Sequence, residues 1–475
     1  MDDRVVQRWV LALTAVASVM VTLDLLVVAT ALSTIRVDLR ASLADLEWTI
    51  NAYSLSYAML LMTSVTFGDR WGRRRVFTAG LGAFALASVG CALAQSVGAL
   101  IVARAVQGAS AAMIVPQALA LLSAAFPAER RGQALGVFAG VTGLAILGGP
   151  VVGGAVTQGL AWQWIFWINV PVAVLLLALA PRRIPESFGP NTRLDVCGLV
   201  LQGLGALGVV WALVRGNVVG WGSAEVVATL AAGLLLLAAF VWWEARARAP
   251  MLPLGLFASR RFSAGNVTIF LLYGALLSEV FFIAQFLQVT LGFGPMLAGL
   301  ALVPWTVSSA VVAPIAGRVV DRIGERALIM TGLFLQAVGM VWIALIAAPD
   351  MAYAALIVPF VLAGAGSSMA IPAAQNAVVS SVPPAAIGTA SGAYNALRQF
   401  GGAFGVAVLA AVFASTGGYA SAQAFSDGFG PAMATAAVLS VLGALAGAAV
   451  PVRRRAAGVS RVRGAVPGLR KATSR

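Results

Sequence analysis

The segment VTFGDRWGRRR at Val65–Arg75 sets an acidic residue, two glycines and four arginines directly after an apolar stretch. A weaker copy, GRVVDRIGER, returns at Gly317–Arg326. Aligning the Asp-Arg-x-Gly pattern that begins at Asp69 with the one that begins at Asp321 gives an offset of 252 residues, about half of the chain. The sequence therefore predicts a duplicated unit.

A second pair of stretches supports this interpretation. The segment FPAERRGQALG at 126–136 aligns with VPPAAIGTASG at 382–392 with an offset of 256 residues, and a proline, two glycines and one alanine coincide. Parallel repeats are characteristic of membrane transporters, whose binding sites lie at the interface of the repeats. Two related halves are therefore expected.

Composition places the chain in a membrane. Of its 475 residues, 60% are hydrophobic and 10% are charged, and the mean hydropathy is +0.94. A water-soluble domain has roughly 25% charged residues, so we predict an all-α polytopic membrane protein. The net charge of +14 arises from arginines in short loops and in the tail. Such arginines set membrane orientation, and no nucleic-acid partner is expected.

Fourteen apolar stretches approach the length of about 20 residues that crosses a bilayer. They are 9–32, 48–67, 76–95, 99–121, 134–156, 164–181, 196–215, 224–243, 264–286, 297–317, 327–347, 352–374, 389–414 and 430–450. Because the repeated motif follows the second and the tenth of them, we expect six helices, two additional helices and six further helices. The predicted domains are 1–181, 182–262 and 263–450, followed by a disordered basic tail at 451–475 that lies near anionic lipid.

The distribution of basic residues predicts the orientation. Counting alternate sides of the fourteen stretches places 26 of the 31 Lys and Arg residues on the side that holds both termini, and three on the other. Basic loops stay in the cytoplasm. Both termini are therefore expected on the cytoplasmic side of the cell membrane.

The residue inventory argues against catalysis. The chain has no histidine, and its two cysteines, Cys91 and Cys197, fall in apolar stretches, so neither a metal site nor a disulfide framework is expected. The single lysine, Lys471, lies in the tail without a phosphate-binding loop. A membrane enzyme or a receptor is an alternative in principle, but no cofactor, metal or nucleotide is predicted.

Two acidic residues lie inside predicted helices. An ionised carboxylate at the position of Asp24 costs roughly 2.5–3.5 kcal/mol on insertion scales, so Asp24 is a candidate proton carrier. Glu279 falls within 276–280, the repeat counterpart of Asp24. Arg104, one turn before Gln107, is a permanent cation that is expected to act on a nearby acid. The alternatives are acids that face water and an arginine that ties two helices statically.

Several motifs resemble those of the major facilitator superfamily and, within it, the fourteen-helix drug:proton antiporters. DRWGRRR at 69–75 resembles the signature loop after the second helix, LDLLVVATAL at 23–32 the acidic motif of the first helix, and RAVQG at 104–108 the arginine motif of the fourth. GPVVGG at 149–154 resembles the antiporter motif of the fifth helix, and WQWIFWINVP at 162–171 is a further match. The resemblance implies the major facilitator fold, with two six-helix bundles around a pseudo-two-fold axis and two extra helices between them.

Three groups of residues follow from the motifs. The candidate gate, which alternatively fixes topology alone, comprises Asp69, Arg70, Gly72, Arg73, Arg74, Asp321 and Arg322. The antiporter motif, a candidate seal or hinge whose alternative is simple packing, comprises Gly149, Pro150, Gly153 and Gly154. The candidate substrate cavity, whose members are alternatively core or lipid-facing, comprises Asn51, Tyr53, Tyr57, Gln107, Phe282, Gln285, Tyr394 and Arg398.

The function that the resemblance implies is proton-coupled antiport. The chain is expected to export drugs or amphipathic small molecules across the cytoplasmic membrane by alternating access, as a monomer whose partners are substrate, protons and lipid. The alternatives are an exporter of a self-made secondary metabolite and a uniporter or symporter of a polar solute such as a sugar. Sparse polar residues inside the helices and the motif at 149–154 disfavour the polar solute.

Overall fold

The computed structural model describes residues 3–189, 194–247, 250–383 and 386–451. Among the residues singled out above, the side chains of Pro150 and Asp321 lie outside the described part, and so does the tail from 452 onward. The described regular structure is helical.

Sixteen helices follow one another along the described chain. They are α1 (Asp3–Asp38), α2 (Leu43–Trp71), α3 (Arg73–Ala92), α4 (Val97–Ala125), α5 (Ala128–Gly159), α6 (Trp164–Trp167), α7 (Asn169–Arg183), α8 (Val196–Val219), α9 (Ala224–Glu244), α10 (Arg260–Gln285), α11 (Pro295–Ala301), α12 (Val303–Ile323), α13 (Glu325–Ile346), α14 (Ala354–Val379), α15 (Ile387–Thr416) and α16 (Ala422–Ala448). A 3₁₀ turn (Leu254–Ala258) precedes α10, and a π-helical turn (Phe286–Thr290) extends it.

Two predicted spans are interrupted. Ile168 separates α6 from α7, and Leu302 separates α11 from α12, although each pair forms one apolar span. Twelve spans within the described residues are long and apolar enough to cross a membrane. The sequence predicted fourteen, and α2 and α5 are the two helices without such a span. They have 29 and 32 residues, and α2 buries polar side chains such as Asn51 and Thr49 along its length.

The duplication is visible in the backbone. Gly72 and Gly324, 252 residues apart, have φ angles of 105° and 92°. Each ends one helix and begins the next, and its N–H donates to the fourth preceding carbonyl, at 3.0 Å from Gly68 and 2.9 Å from Val320. Glycine adopts positive φ without the steric penalty that a Cβ imposes. The two copies of the motif therefore form the same turn.

The helices pack as two halves that α8 and α9 join. In the N-terminal half, α1–α7, helix α4 packs on α2 and α3, and α1 packs on α5. In the C-terminal half, α10–α16, helix α13 packs on α14 and α16, and α10 packs on α15. The halves meet along two seams, between α2 and α15 and between α5 and α11–α12. Helix α9 packs on α8, which touches both α2 and α15.

Candidate functional site

A network of polar side chains lies buried inside the N-terminal half. The Arg104 guanidinium of α4 donates to Asp24 Oδ2 of α1 at 2.5 Å and to Gln107 Oε1 at 2.7 Å. The Gln107 and Asn169 amides donate to Asp24 Oδ1 at 2.8 and 2.7 Å. All four side chains are buried. The carboxylate therefore accepts three hydrogen bonds from two helices, α4 and α7, and has a permanent countercharge.

The Arg104 side chain is held by further contacts. Its Nε donates to the Thr49 carbonyl at 3.2 Å, and its Cζ lies 4.3 Å from the centroid of the Tyr53 ring. Gln107 also donates to Ser88 Oγ at 2.9 Å. Arg104 Nη2 is buried and has no hydrogen-bond partner within the described structure. Asp24 and Arg104, predicted separately from sequence, thus form one ion pair between α1 and α4.

Glu279 lies in a second, simpler site in the C-terminal half. It is fully buried in α10, and both carboxylate oxygens accept from Gln336 Nε2 of α13, at 3.0 and 3.1 Å. Gln336 Oε1 is buried without a hydrogen-bond partner among the described residues. No described cation pairs with Glu279. The two carboxylates therefore sit at related positions with different partners, one with a guanidinium and one with an amide.

The described contacts of Asp69 and Arg74 in the candidate gate stay within the N-terminal half. Asp69 accepts from Arg73 at 2.7 Å, and its carbonyl accepts from the Gly189 N–H at 3.2 Å. The Arg74 N–H donates to Glu186 at 2.8 Å, and the Arg74 guanidinium donates to carbonyls at the end of α7. These described contacts tie the loop to the segment after α7, and they do not reach the C-terminal half.

The remaining gate residues differ in exposure. Arg70 and Arg322 are exposed, and Gly72 is buried beside the Glu186 carboxylate. In the second copy, Glu325 lies buried at the start of α13, where it pairs with Arg261 and accepts from Asn376 at 2.8 Å. Glu325 was not predicted from the sequence, although it directly follows Gly324, whose turn matches that at Gly72.

The antiporter motif brings α5 against both halves. A Cβ at Gly149 would lie 2.8 Å from the Leu26 side chain, and one at Gly153 would lie 2.4 Å from Thr30 Oγ1, so both glycines pack on α1. A Cβ at Gly154 would lie 2.3 Å from the Pro295 carbonyl oxygen at the start of α11. Close backbone approach therefore requires glycine at these positions.

Polar contacts join the halves at the end of the bundle where α1 ends, called the Arg36 end below. Ser33 donates to Gln288 Oε1, and Gln288 Nε2 donates to the Thr30 carbonyl at 3.0 Å. The Gln158 side chain accepts from the Met296 N–H at 3.0 Å. In this conformation, α1 and α5 are thus fastened to α10 and α11 at the Arg36 end.

The predicted cavity residues do not share one environment. Phe282 is fully buried against Phe281 and Phe413, so it belongs to a packed aromatic core. Gln285 accepts from the Tyr419 hydroxyl at the Arg36 end, and Asn51 is buried with both amide atoms unpartnered within the described structure.

Tyr57, Tyr394 and Arg398 lie on the α2–α15 seam. Tyr57 and Tyr394 are buried, and the half-buried Arg398 guanidinium lies over the Tyr273 ring, 5.0 Å from its centroid. Tyr53 belongs to the Arg104 environment instead, and its ring lies 6.2 Å from that of Tyr57.

Sequence reasoning missed several partners. Asn169 stood inside the quoted segment 162–171, and its apolar neighbours were a signal that its amide needs a buried partner. Gln336 is likewise a lone polar residue in an apolar stretch. Tyr273 and Tyr419 gave no comparable signal, because only the three-dimensional packing brings them to Arg398 and Gln285.

Comparison with known proteins agrees with the motifs. Residues 14–406 match the family model of the Major Facilitator Superfamily. The tetracenomycin C resistance and export protein of Streptomyces glaucescens is 35% identical over 408 residues, which cover 84% of this chain and 74% of that protein. The multidrug efflux pump LfrA of Mycolicibacterium smegmatis is 35% identical over 414 residues, which cover 86% of this chain and 81% of that protein.

Solved structures share the fold at low identity. An auto-inhibited peptide transporter of the POT family matches with a TM-score of 0.69 and 16% identity, over 96% of this chain and 99% of that one. This likeness concerns the fold alone. The family match, the relatives and the apolar helices together identify a multi-pass membrane transporter of small molecules that belongs to the Major Facilitator Superfamily.

Proposed function

We propose that the chain is a proton-coupled antiporter that exports amphipathic small molecules across the cytoplasmic membrane by alternating access. The observation that carries this proposal is the buried Asp24–Arg104 ion pair, which joins α1 to α4 at 2.5 Å. The names of the relatives, one a resistance and export protein and one a multidrug efflux pump, support the direction of transport.

The coupling step rests on the countercharge. While Arg104 holds Asp24, the guanidinium stabilises the ionised carboxylate. A movement of α4 against α1 that lengthens this contact leaves the carboxylate buried without a cation, and a buried carboxylate without a cation is better accommodated as the neutral acid. Asp24 therefore takes up a proton in one conformation and releases it when Arg104 returns. Substrate whose binding restores the pair displaces that proton, so substrate and proton are exchanged.

The topology belongs to the same proposal. We place fourteen crossings in the membrane, because α2 and α5 each connect two helices with qualifying spans and exceed the length of about 20 residues that a crossing needs. With 26 of 31 basic residues on one side, both termini and the Asp69 loop lie in the cytoplasm. The Arg36 end then faces outward. Glu279 is a second site for protons, and the functional unit is a monomer.

Vesicle transport tests the proposal. Everted vesicles that contain the protein are incubated with a panel of fluorescent drugs, with and without an imposed proton gradient, and drug accumulation inside the vesicles is measured. We expect accumulation that a protonophore abolishes and that Asp24→Asn eliminates, whereas Asp350→Asn, an exposed loop acid, transports normally. Accumulation that persists after the protonophore would instead favour a uniporter.

Purified protein gives the direct measurement. Substrate added to the wild type in weakly buffered detergent solution should release protons, and Asp24→Asn should release none. Equal release from both proteins would move the coupling site away from Asp24, and Glu279→Gln would be measured next.

A further inference from the structure

Arg398 is a cation in the middle of the protein that has no acidic partner among the described residues. It lies near the centre of α15 and is half-buried, and it forms no ion pair with any described carboxylate. Its Nε is buried and has no hydrogen-bond partner within the described structure. Arg104, in contrast, is equally permanent in charge and is paired with Asp24. A guanidinium at this depth is costly unless an acceptor with negative charge completes it.

Phenol rings from both halves surround the guanidinium. Arg398 Cζ lies 5.0 Å from the centroid of the Tyr273 ring of α10, and the hydroxyls of Tyr57 of α2 and Tyr394 of α15 are near enough to interact with its charge. The Tyr394 hydroxyl donates to the Ile371 carbonyl at 3.2 Å, which fixes that ring. Tyr57 and Tyr273 both lie near the middle of their helices. The cluster therefore sits at the interface of the repeats, at the depth where transporters of this architecture bind substrate.

The chemistry of this cluster selects its ligand. A guanidinium binds a carboxylate or another planar oxyanion through two parallel hydrogen bonds, and tyrosine rings stack on flat aromatic molecules. A cationic ligand would meet the like charge of Arg398. The charge of Asp24 is already compensated by Arg104, and Glu279 is fully buried against Gln336 of α13. We infer that the exported substrates are aromatic molecules that carry an acidic group, and that Arg398 binds this group. The inference rests on the proposed export function.

The cluster also touches the coupling network. Tyr53 and Tyr57 lie one turn apart on α2, with Tyr53 over Arg104 and Tyr57 beside Arg398, and their rings are 6.2 Å apart. An anion that binds Arg398 therefore lies beside α2, the helix whose Tyr53 covers Arg104. Two side chains, Tyr53 and Arg104, separate Tyr57 from Asp24. Substrate binding at Arg398 can therefore affect the Asp24–Arg104 ion pair through Tyr57 and Tyr53 of α2.

Two dyes with the same ring system separate the effect of charge. Fluorescein is anionic at neutral pH, and rhodamine 123 is cationic. Their binding to the purified full-length protein in detergent is measured by fluorescence anisotropy at constant ionic strength. We expect fluorescein to bind at least about tenfold more tightly than rhodamine 123, and Arg398→Gln to lose about tenfold or more of that affinity, as for a charge-assisted pair.

Two further variants control this result. Arg398→Lys keeps the charge but not the planar fork, so it should fall between the wild type and Arg398→Gln. Arg215→Gln removes one positive charge that is already paired with Glu225 at an exposed position, and should bind fluorescein as the wild type does. Fluorescein should raise the midpoint temperature of thermal unfolding of the wild type, and rhodamine 123 should not. This measurement tests the inference even if Arg398→Gln does not fold.

The outcomes separate the inference from the export function. Preference of the wild type for rhodamine 123, or unchanged fluorescein binding in Arg398→Gln and Arg398→Lys, overturns the inference. Fluorescein binding that depends on Arg398 supports it, even if proteoliposomes with a proton gradient export neither dye, a result that would count against the export function alone. Export of rhodamine 123 without Arg398-dependent binding of fluorescein leaves the export function standing and removes the anion site.

Discussion

The Arg36 guanidinium lies over the Tyr419 ring, with its Cζ 3.9 Å from the ring centroid, and so fastens the N-terminal half to the C-terminal half. The Tyr419 hydroxyl continues the link by donating to Gln285. Burial raises the pKa of the Tyr419 phenol above its usual range, so the hydroxyl remains a donor throughout the neutral pH range. The Arg36–Tyr419 contact is therefore a clasp that must open whenever this end of the transporter opens.

Weakening the clasp should open the Arg36 end more often. A cation–π contact contributes about 0.5–1 kcal/mol at an accessible site, so Arg36→Gln should raise the open population about two- to fivefold. The measurement is the labelling rate of Thr157→Cys, a buried α5 position, by an impermeant maleimide in a background without Cys91 and Cys197. Arg40→Gln, an exposed arginine at the same end, is the matched control. Equal labelling in all three proteins would contradict the clasp.

Removing one partner of the Asp24–Arg104 pair should destabilise the protein. Asp24→Asn leaves a buried guanidinium without its countercharge, and breaking such a pair costs roughly 3–5 kcal/mol. Arg104→Gln alone should cost a similar amount, because it leaves the carboxylate unpaired. The double variant should regain part of the loss, since neither charge remains. Thermal unfolding in detergent measures all three, and strictly additive losses would show that the two residues do not stabilise each other.

Glu279→Gln should have the opposite effect on stability. The new amide can donate to Gln336 Oε1, which is buried without a partner, and no countercharge is left behind. We therefore expect unchanged or higher thermal stability, together with reduced proton-driven export if Glu279 takes part in coupling. Full export by this variant would restrict Glu279 to a packing role. A large drop in stability would contradict the described Gln336 contact.

Gly154→Ala should block closure at the Arg36 end. The added methyl group would lie 2.3 Å from the Pro295 carbonyl oxygen, a backbone atom that cannot give way as a flexible side chain can. We expect export to fall about tenfold or more, because a closed state that costs 1.4 kcal/mol more is populated tenfold less. Gly148→Ala is the matched control, since a Cβ there meets nothing within 4 Å. Comparable export by both variants would reduce the motif to general packing. Expression and melting temperature are compared in the same preparations.

Much of the fold could be predicted from sequence, because membrane-spanning helices correspond to long apolar stretches and two pairs of local motifs indicated the repeat. The Asp24–Arg104 pair was within reach of the same reasoning, since two charges buried in one bundle need each other. The predicted count of fourteen spans is not confirmed by the twelve sufficiently apolar spans of the described residues. One reason is that α2 carries Asn51, Thr49 and other buried polar groups, which lower its mean hydropathy.

The partners across the interface were not predictable. Tyr273 is one aromatic residue among many in α10, and only the packing of α10 against α15 brings it over Arg398. The Asp69 loop shows a similar limit, because its sequence predicted a gate but not the partners of its charged residues. In this conformation its ion pairs are instead satisfied locally by Arg73 and by the Glu186 segment.

The placement of α8 makes the two seams unequal. Val210 and Val214 of α8 pack with Leu55 of α2 and Ala403 of α15, so this helix roofs one seam from the outside. In α12, which packs on α5 at the other seam, Val307 and Val311 are more than half exposed. We therefore expect a molecule dissolved among the lipid tails to reach the interface of the halves beside α12 rather than beside α8, which covers the other seam.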